Sequence, residues 1–326
     1  MFNKTRLKFD DIFENKLEEN NVKEYLIKLH KDGETSQEIA AAALAMREHM
    51  IPIIVEQSLQ EKLIDNCGTG GDKSNSFNIS TTVSILLSAC GSVVAKHGNR
   101  SITSKSGSAD MLEALGINLN LNTQQQISML RKVGFTFLFA INHHPAMKNI
   151  MPIRKSIEHR TIFNILGPLS NPASVHKQLI GVFNKEYVIK MAEALTQLNT
   201  KKAMVVSSAD GMDEISISDV TYCAFVERGK VNEFTLDPRE YGFDLYPKDD
   251  IIGGDAKFNA DITKGILDGS IDGAKKDIVI LNTAVALLVD DKVNSTEEGI
   301  EMAKEAISSG KAKLKLEEII KVSNGF

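Results

Sequence analysis

Asp65-Asn-Cys-Gly-Thr-Gly-Gly-Asp-Lys-Ser-Asn-Ser-Phe-Asn-Ile-Ser-Thr81 and, after an apolar stretch, Lys96-His-Gly-Asn-Arg-Ser-Ile-Thr-Ser-Lys-Ser-Gly-Ser-Ala-Asp110 decide how this chain is read. In the first loop, Gly68, Gly70 and Gly71 free the backbone for positive φ and for close approach to a ligand. Successive N–H groups in such a turn make an anion-binding concavity, and a following helix adds its N-terminal dipole. That helix is expected over Ser80 to Cys90, with Asn78 or Ser80 as N-cap and Gly91 as its stop. Two nucleotide motifs fail: a P-loop needs Gly where Asp72 stands, and a dinucleotide fingerprint needs Gly where Lys73 stands. Three glycines alone are an ordinary turn. Asp72, Asn78, Ser80 and Thr81 following at once make a binding loop the better reading.

The second loop, Lys96 to Ser108, follows a strand expected over Ser92 to Ala95 and precedes a helix over Ser108 to Leu115. Lys96 and Arg100 bring positive charge, and His97 and Asn99 bring directional donors. Ser101, Thr103, Ser104, Ser106 and Ser108 bring hydroxyls, and Ile102 is the single long apolar side chain. A solitary Lys or His is usually solvated or structural. A polar run of this length wedged between apolar elements points to a ligand instead. Together the loops read as one site for a highly phosphorylated small molecule.

Working outward, 326 residues with 42% hydrophobic content can bury a substantial core, as two domains or one large one. A net charge of −5 with interspersed signs gives no footprint for nucleic acid. Cys67, Cys90 and Cys223 are odd in number and unclustered, so reduced thiols and a cytoplasmic setting are expected. No run of 18 apolar residues suggests a membrane span. Residues 1 to about 60 read helical: Val22, Tyr25, Leu26 and Leu29 share a face before Gly33, and an Ala-rich helix covers Ile39 to Met50. Its alanines imply close helix packing, with another subunit as one possible neighbour, and Arg47 and His49 are expected at the surface.

Beyond the loops, a helix over Gln124 to Lys132 and a strand over Gly134 to Ala140 lead to Asn142-His-His-Pro-Ala-Met147. Adjacent histidines seldom face one ion, and no Cys or Glu-x-x-His pattern supports zinc. From Leu179 the pattern alternates strand and helix, which delivers Asp210-Gly-Met-Asp213-Glu214-Ile-Ser216. Adjacent carboxylates at a strand end suit a hard cation such as Mg²⁺, held by few oxygens plus substrate phosphates, although a single Asp there is often a turn residue. Asp210 is read as such a turn residue. Strands around Gly229 and helices over Asn259 to Leu267, Ala274 to Val289, Ser295 to Ser308 and Leu314 to Ile320 complete the scaffold. Asn282 is read as a buried amide rather than a ligand.

Gly-Thr-Gly-Gly-Asp, Asn-Ile-Ser-Thr, Lys-His-Gly-Asn-Arg and Gly-Ser-Ala-Asp, in this order and spacing, resemble the anthranilate phosphoribosyltransferase family. The likeness continues nearly to the C-terminus. It implies an α/β fold: a small N-terminal helical domain over 1–62, with a returning helical segment near 146–170, and a larger domain over 63–145 and 171–326. The larger domain has a central mixed sheet flanked by helices. The implied reaction moves the phosphoribosyl group of phosphoribosyl pyrophosphate (PRPP) to the amine of anthranilate and releases pyrophosphate, the second step of tryptophan biosynthesis. No general base is expected for so weakly basic an amine.

By this resemblance, Gly68, Gly71, Asp72, Ser76, Asn78, Ile79, Ser80, Thr81, Lys96, His97, Gly98, Asn99, Arg100, Ser101, Ile102, Thr103, Ser104 and Ser108 surround the donor. Gly68, Asn99 and Arg154 meet anthranilate, and Ser80, Asp213 and Glu214 hold Mg²⁺. A guanidinium at Arg154 suits a carboxylate, since it makes two parallel hydrogen bonds and stays charged. From composition alone Arg154 would be a surface arginine. The family usually has Gly close before the Arg160-Thr-Ile-Phe-Asn run, whereas Ile157-Glu158-His159 stand here. The resemblance also implies a homodimer through the N-terminal helices. Two other readings stay open: a pyrimidine nucleoside phosphorylase, expected to continue differently after Lys-His, and a non-catalytic nucleotide- or nucleic-acid-binding relative.

Overall fold

The computed structural model describes residues 1–100 and 105–326. The chain opens with helices α1 (Phe2–Phe13), α2 (Glu19–Asp32), α3 (Ser36–Glu48) and the short α4 (Gln57–Gln60). Next come β1 (Leu63–Gly68), α5 (Ile79–Ala89), β2 (Val93–Gly98), α6 (Ser108–Ala114), α7 (Thr123–Val133) and β3 (Phe135–Phe139). A helical excursion, α8 (Ala140–His143) and α9 (Met147–Lys155), precedes β4 (Lys177–Gly181), α10 (Glu186–Gln197) and β5 (Lys202–Ser208). Strands β6 (Thr221–Glu227) and β7 (Lys230–Leu236) and helices α11 (Ala256–Leu267), α12 (Ala274–Val289), α13 (Thr296–Ser308) and α14 (Lys311–Ser323) finish the chain.

The seven strands form one mixed sheet in the order β3-β2-β1-β4-β5-β6-β7. The first five run parallel, and β6 and β7 pair antiparallel at one edge. Strand order reverses between β1 and β4. A crevice opens outside the carboxyl ends of strands at such a switch point, and ligands settle there in open parallel sheets. The fold therefore puts the loop after β1, the loop after β2 and the turn after β5 around one place.

Two apolar clusters cover the two faces of the sheet. Helices α5, α11, α12, α13 and α14 pack one face, where Leu86, Ile280 and Leu287 are buried. Helices α1, α2, α3 and α10 and the excursion around Ile162 and Leu166 cover Ile180, Val205 and Ala224 on the other. Ala40, Ala41, Ala42, Ala43 and Ala45 of α3 are wholly buried, and α3 packs on both α1 and α10 of the same chain. Thr35 caps α3, accepting from Glu38 N while the Glu38 carboxylate reaches back to Thr35 N.

Three expectations need correction. Strand β2 runs on to Gly98, so Lys96 and His97 stand on a strand and the second loop begins beyond them. Pairing of Lys96, His97 and Gly98 with Phe137, Leu138 and Phe139 of β3 extends it. Arg47 is half-buried rather than free at the surface: it donates to Leu169 O at 2.6 Å, and burial pushes its pKa down to about 10. Asn78 sits at the N-cap of α5, but its side chain does not cap the helix. No helix among the described residues is long and apolar enough to cross a membrane.

Candidate active site

The turn after β5 reaches across to β1. Gly70 N donates to Asp213 Oδ2 at 2.6 Å, and Ser80 N, in the first turn of α5, donates to Glu214 Oε1 at 3.2 Å. This approach is possible because Gly68 and Gly181 lie opposite each other in the β1–β4 register. A Cβ on Gly68 would run into the Asp213 carboxylate, and one on Gly181 would run into the Asp213 backbone carbonyl. Asn282, on α12, holds the turn from behind: its Nδ2 donates to Ile215 O at 2.8 Å and its Oδ1 accepts from Ile215 N at 3.0 Å. Asp210 accepts from Met212 N and Ser216 Oγ and stays a turn residue, as expected.

Burial and like charge load this corner. Burial, then the nearby Asp72, pushes Asp213 up to about 7. Glu214 is pushed well above the carboxylate range by burial and by Asp213. The Lys96 ammonium opposes this for Glu214. It is itself buried, and Nζ donates to Asn66 O at 2.5 Å and Ser80 Oγ at 3.3 Å. Three carboxyl groups beside one ammonium offer oxygen ligands that a bound cation would hold deprotonated, so the acid pair fits Mg²⁺ by charge and ligand type. Among the described residues no three His, Cys, Asp or Glu side chains form a metal-binding group. A hard cation here would draw its other oxygens from substrate and water.

The remaining loop residues divide clearly. Gly71 takes φ +74°, and Arg160 donates to its carbonyl while stacking on Phe183 at 3.6 Å. Asp72 accepts from Ser74 N at 3.2 Å. Ser76 forms a bridge with Ile252, and Thr81 Oγ1 is buried with no partner among the described residues. Asn78 exchanges hydrogen bonds with Ser106. Ile79 is core, and its N–H donates to Phe77 O at 2.7 Å. Gly98 leaves no room for a Cβ against Phe137, and Ser108 begins α6 beside it.

Asn99 Oδ1 accepts from Arg100 N. The Arg100 guanidinium is turned away to Asp110 and Glu113 of α6, at 2.7 to 2.8 Å, so it is committed to that helix rather than to the crevice. Ser101, Ile102, Thr103 and Ser104 lie outside the described residues.

His97 Nδ1 meets Gly167 O at 3.0 Å, and its Nε2 meets His144 Nε2 at 3.2 Å. Burial pushes His97 down to about 3 and His144 to about 4, so both rings are neutral near pH 7. His143 turns instead to Ile51 O, and the adjacent histidines do not converge. Arg154, on α9, lies 5.7 Å from the Phe163 ring and 3.7 Å from Met151 Sδ. It has no acidic partner among the described residues, and burial lowers its pKa. A half-buried guanidinium without an acidic partner suits an anion.

Residues missed in the sequence are those whose role is spatial. Gly181 looked like the end of an apolar strand. Asp65 is buried, and its carboxylate takes His97 N, Asn171 Nδ2 and Cys67 Sγ, which ties β2 to the returning segment. Nothing in the local sequence marks either one.

A sheet whose parallel strands gather glycine loops, a buried lysine and an acid pair at their switch point is a frame suited to a phosphorylated ligand. The family model described as "Glycosyl transferase family, a/b domain" matches residues 60–313. An anthranilate phosphoribosyltransferase of Petrotoga mobilis is 46% identical over 96% of this chain and 90% of its own length. The crystal structure of the Thermus thermophilus enzyme of that name superposes with a TM-score of 0.92 at 35% identity, covering 99% of this chain and 96% of that one. The Saccharomyces cerevisiae enzyme in complex with PRPP and Mg gives 0.86 at 30% identity, covering 94% and 86%. This chain belongs to the anthranilate phosphoribosyltransferase family.

Proposed function

We propose that this chain transfers the phosphoribosyl group of PRPP to the amine of anthranilate, with the diphosphate held where β1, β2 and β5 end. The observation that carries this reading is the meeting of Gly70 N, Ser80 N and Lys96 with Asp213 and Glu214, since it unites anion donors and cation ligands at one switch point. The first-loop N–H groups and the α5 N-terminus suit the donor's phosphates. Ser80, Asp213 and Glu214 would hold Mg²⁺, which when bound neutralises negative charge growing on the departing pyrophosphate. Lys96 supplies a fixed positive charge from the protein itself. Arg154 receives the anthranilate carboxylate by two parallel hydrogen bonds, and Gly68 and Asn99 complete that side. The attacking amine is uncharged near neutral pH, so the residues need only orient it and keep water out.

The chain is further proposed to work as a homodimer in the cytoplasm. Met1 and Leu7 of the N-terminal helical region, Ile51 and Ile54 of the segment between α3 and α4, and Ile141 of α8 expose large apolar side chains that a second copy would cover. The three cysteines are unpaired, in keeping with a reducing compartment. Anthranilate fluorescence tests the activity: signal should disappear when protein, PRPP and Mg²⁺ are all present. Persistence of the signal, with turnover of thymidine and phosphate instead, would replace this reading by the phosphorylase.

A further inference from the structure

We propose that Asn259 is a positioning residue for the donor, which locks Asn78 and so keeps the two phosphate loops in register. The inference rests on the reading of these loops as the PRPP site. Residues 251–254, far along the chain, form a short antiparallel patch on the first loop: Phe77 N donates to Ile251 O at 3.1 Å, and Gly253 N donates to Asn75 O at 2.9 Å. Ser76 and Ile252 bridge between these bonds. Gly253 is needed there, since a Cβ would come within 2.5 Å of Phe77 Cα and 2.7 Å of Asn259 Oδ1.

Asn259 then stands in the first turns of α11, only 2% exposed. Its Oδ1 accepts from Gly254 N at 2.7 Å, and its Nδ2 donates to Asn78 Oδ1 at 2.9 Å. The same Asn78 Oδ1 accepts from Ser106 Oγ at 3.1 Å, and Asn78 Nδ2 donates to Ser106 O at 3.3 Å. One carboxamide therefore joins the first loop, the second loop and α11. An asparagine amide has two ends of nearly equal shape, and the facing donor decides which end turns where. The Asn259 Nδ2 donor and the Ser106 carbonyl make that choice together, holding Asn78 Nδ2 on the second loop. Beside this knot lies a cavity of about 380 Å³, lined by Ser76, Lys105, Ser106 and Gly253 as well as Asn259.

Asn259→Asp keeps the acceptor for Gly254 N but sets an oxygen against Asn78 Oδ1. Steady-state kinetics on this variant, on Asn259→Ala, on Asn78→Ala and on the double alanine variant test the proposal. The PRPP KM should rise about tenfold in Asn259→Asp, as expected for one buried hydrogen bond, with the anthranilate KM within about twofold of native. The double variant should be no worse in PRPP KM than Asn78→Ala, because both changes remove the same bond. An unchanged PRPP KM in folded Asn259→Asp would overturn the proposal, as would effects that multiply in the double variant. If Asn259→Asp fails to fold, Asn259→Ala is read by the same criterion. A native chain without turnover would refute the functional reading instead, and PRPP calorimetry on the same variants would still decide the role of Asn259.

Discussion

Gly181 and Arg154 show what single residues contribute. Gly181→Ala places a methyl group where the Asp213 carbonyl lies, so the turn must move and the acid pair with it. Turnover at fixed Mg²⁺ should fall at least about a hundredfold, as for loss of a preorganised electrostatic contact; a variant with native turnover would show that the turn need not stay in place. Arg154→Ala should raise the anthranilate KM about tenfold or more and leave the PRPP KM within about twofold, because a charge-assisted pair to one substrate is lost. Equal effects on both constants would take Arg154 out of the acceptor site. Of these two, Arg154 was proposed through the family resemblance and its spacing from the Gly-Ser-Ala-Asp motif. The need for Gly181 comes from a neighbour 32 positions on, and strand register, not local sequence, brings them together.

At the scale of elements, β2 and the helical excursion are joined through two neutral imidazoles. Unfolded histidines titrate near 6.5, while His97 and His144 are held down to about 3 and about 4. Their contribution to stability is therefore complete above pH 6.5. It declines as pH falls below that value, by up to about 1.4 kcal/mol per pH unit for each ring, and is lost as pH passes the folded values. Urea unfolding of native protein and His144→Gln between pH 7.5 and 4.5 checks this: the variant should show the shallower decline, and parallel curves would contradict it. Helix placement was legible from apolar spacing, and the Ala-rich run of α3 foretold close packing. The extension of β2 was not, because Lys96, His97 and Gly98 are polar or small and pair only through β3. The ion pairs of Arg100 were hidden for a similar reason: its acids lie 10 and 13 residues ahead, on one side of α6, and they hold the guanidinium.

For the whole molecule, the central matter is charge. Seven strands bring a glycine loop and an acid pair together although they are some 140 residues apart. The motifs proposed the participants, and the α/β alternation named the sheet. The crowding of Asp72, Asp213 and Glu214 around one lysine became visible only in three dimensions. On the proposed reading, that crowding disfavours a diphosphate until a cation enters. Calorimetric titration of PRPP into native protein and into Asp213→Asn/Glu214→Gln, with Mg²⁺ and then with a chelator, tests this most directly. Native protein should bind PRPP at least about tenfold more tightly with Mg²⁺, and the neutralised variant should lose most of that difference. Equal affinity of the native protein with and without Mg²⁺ would contradict the account.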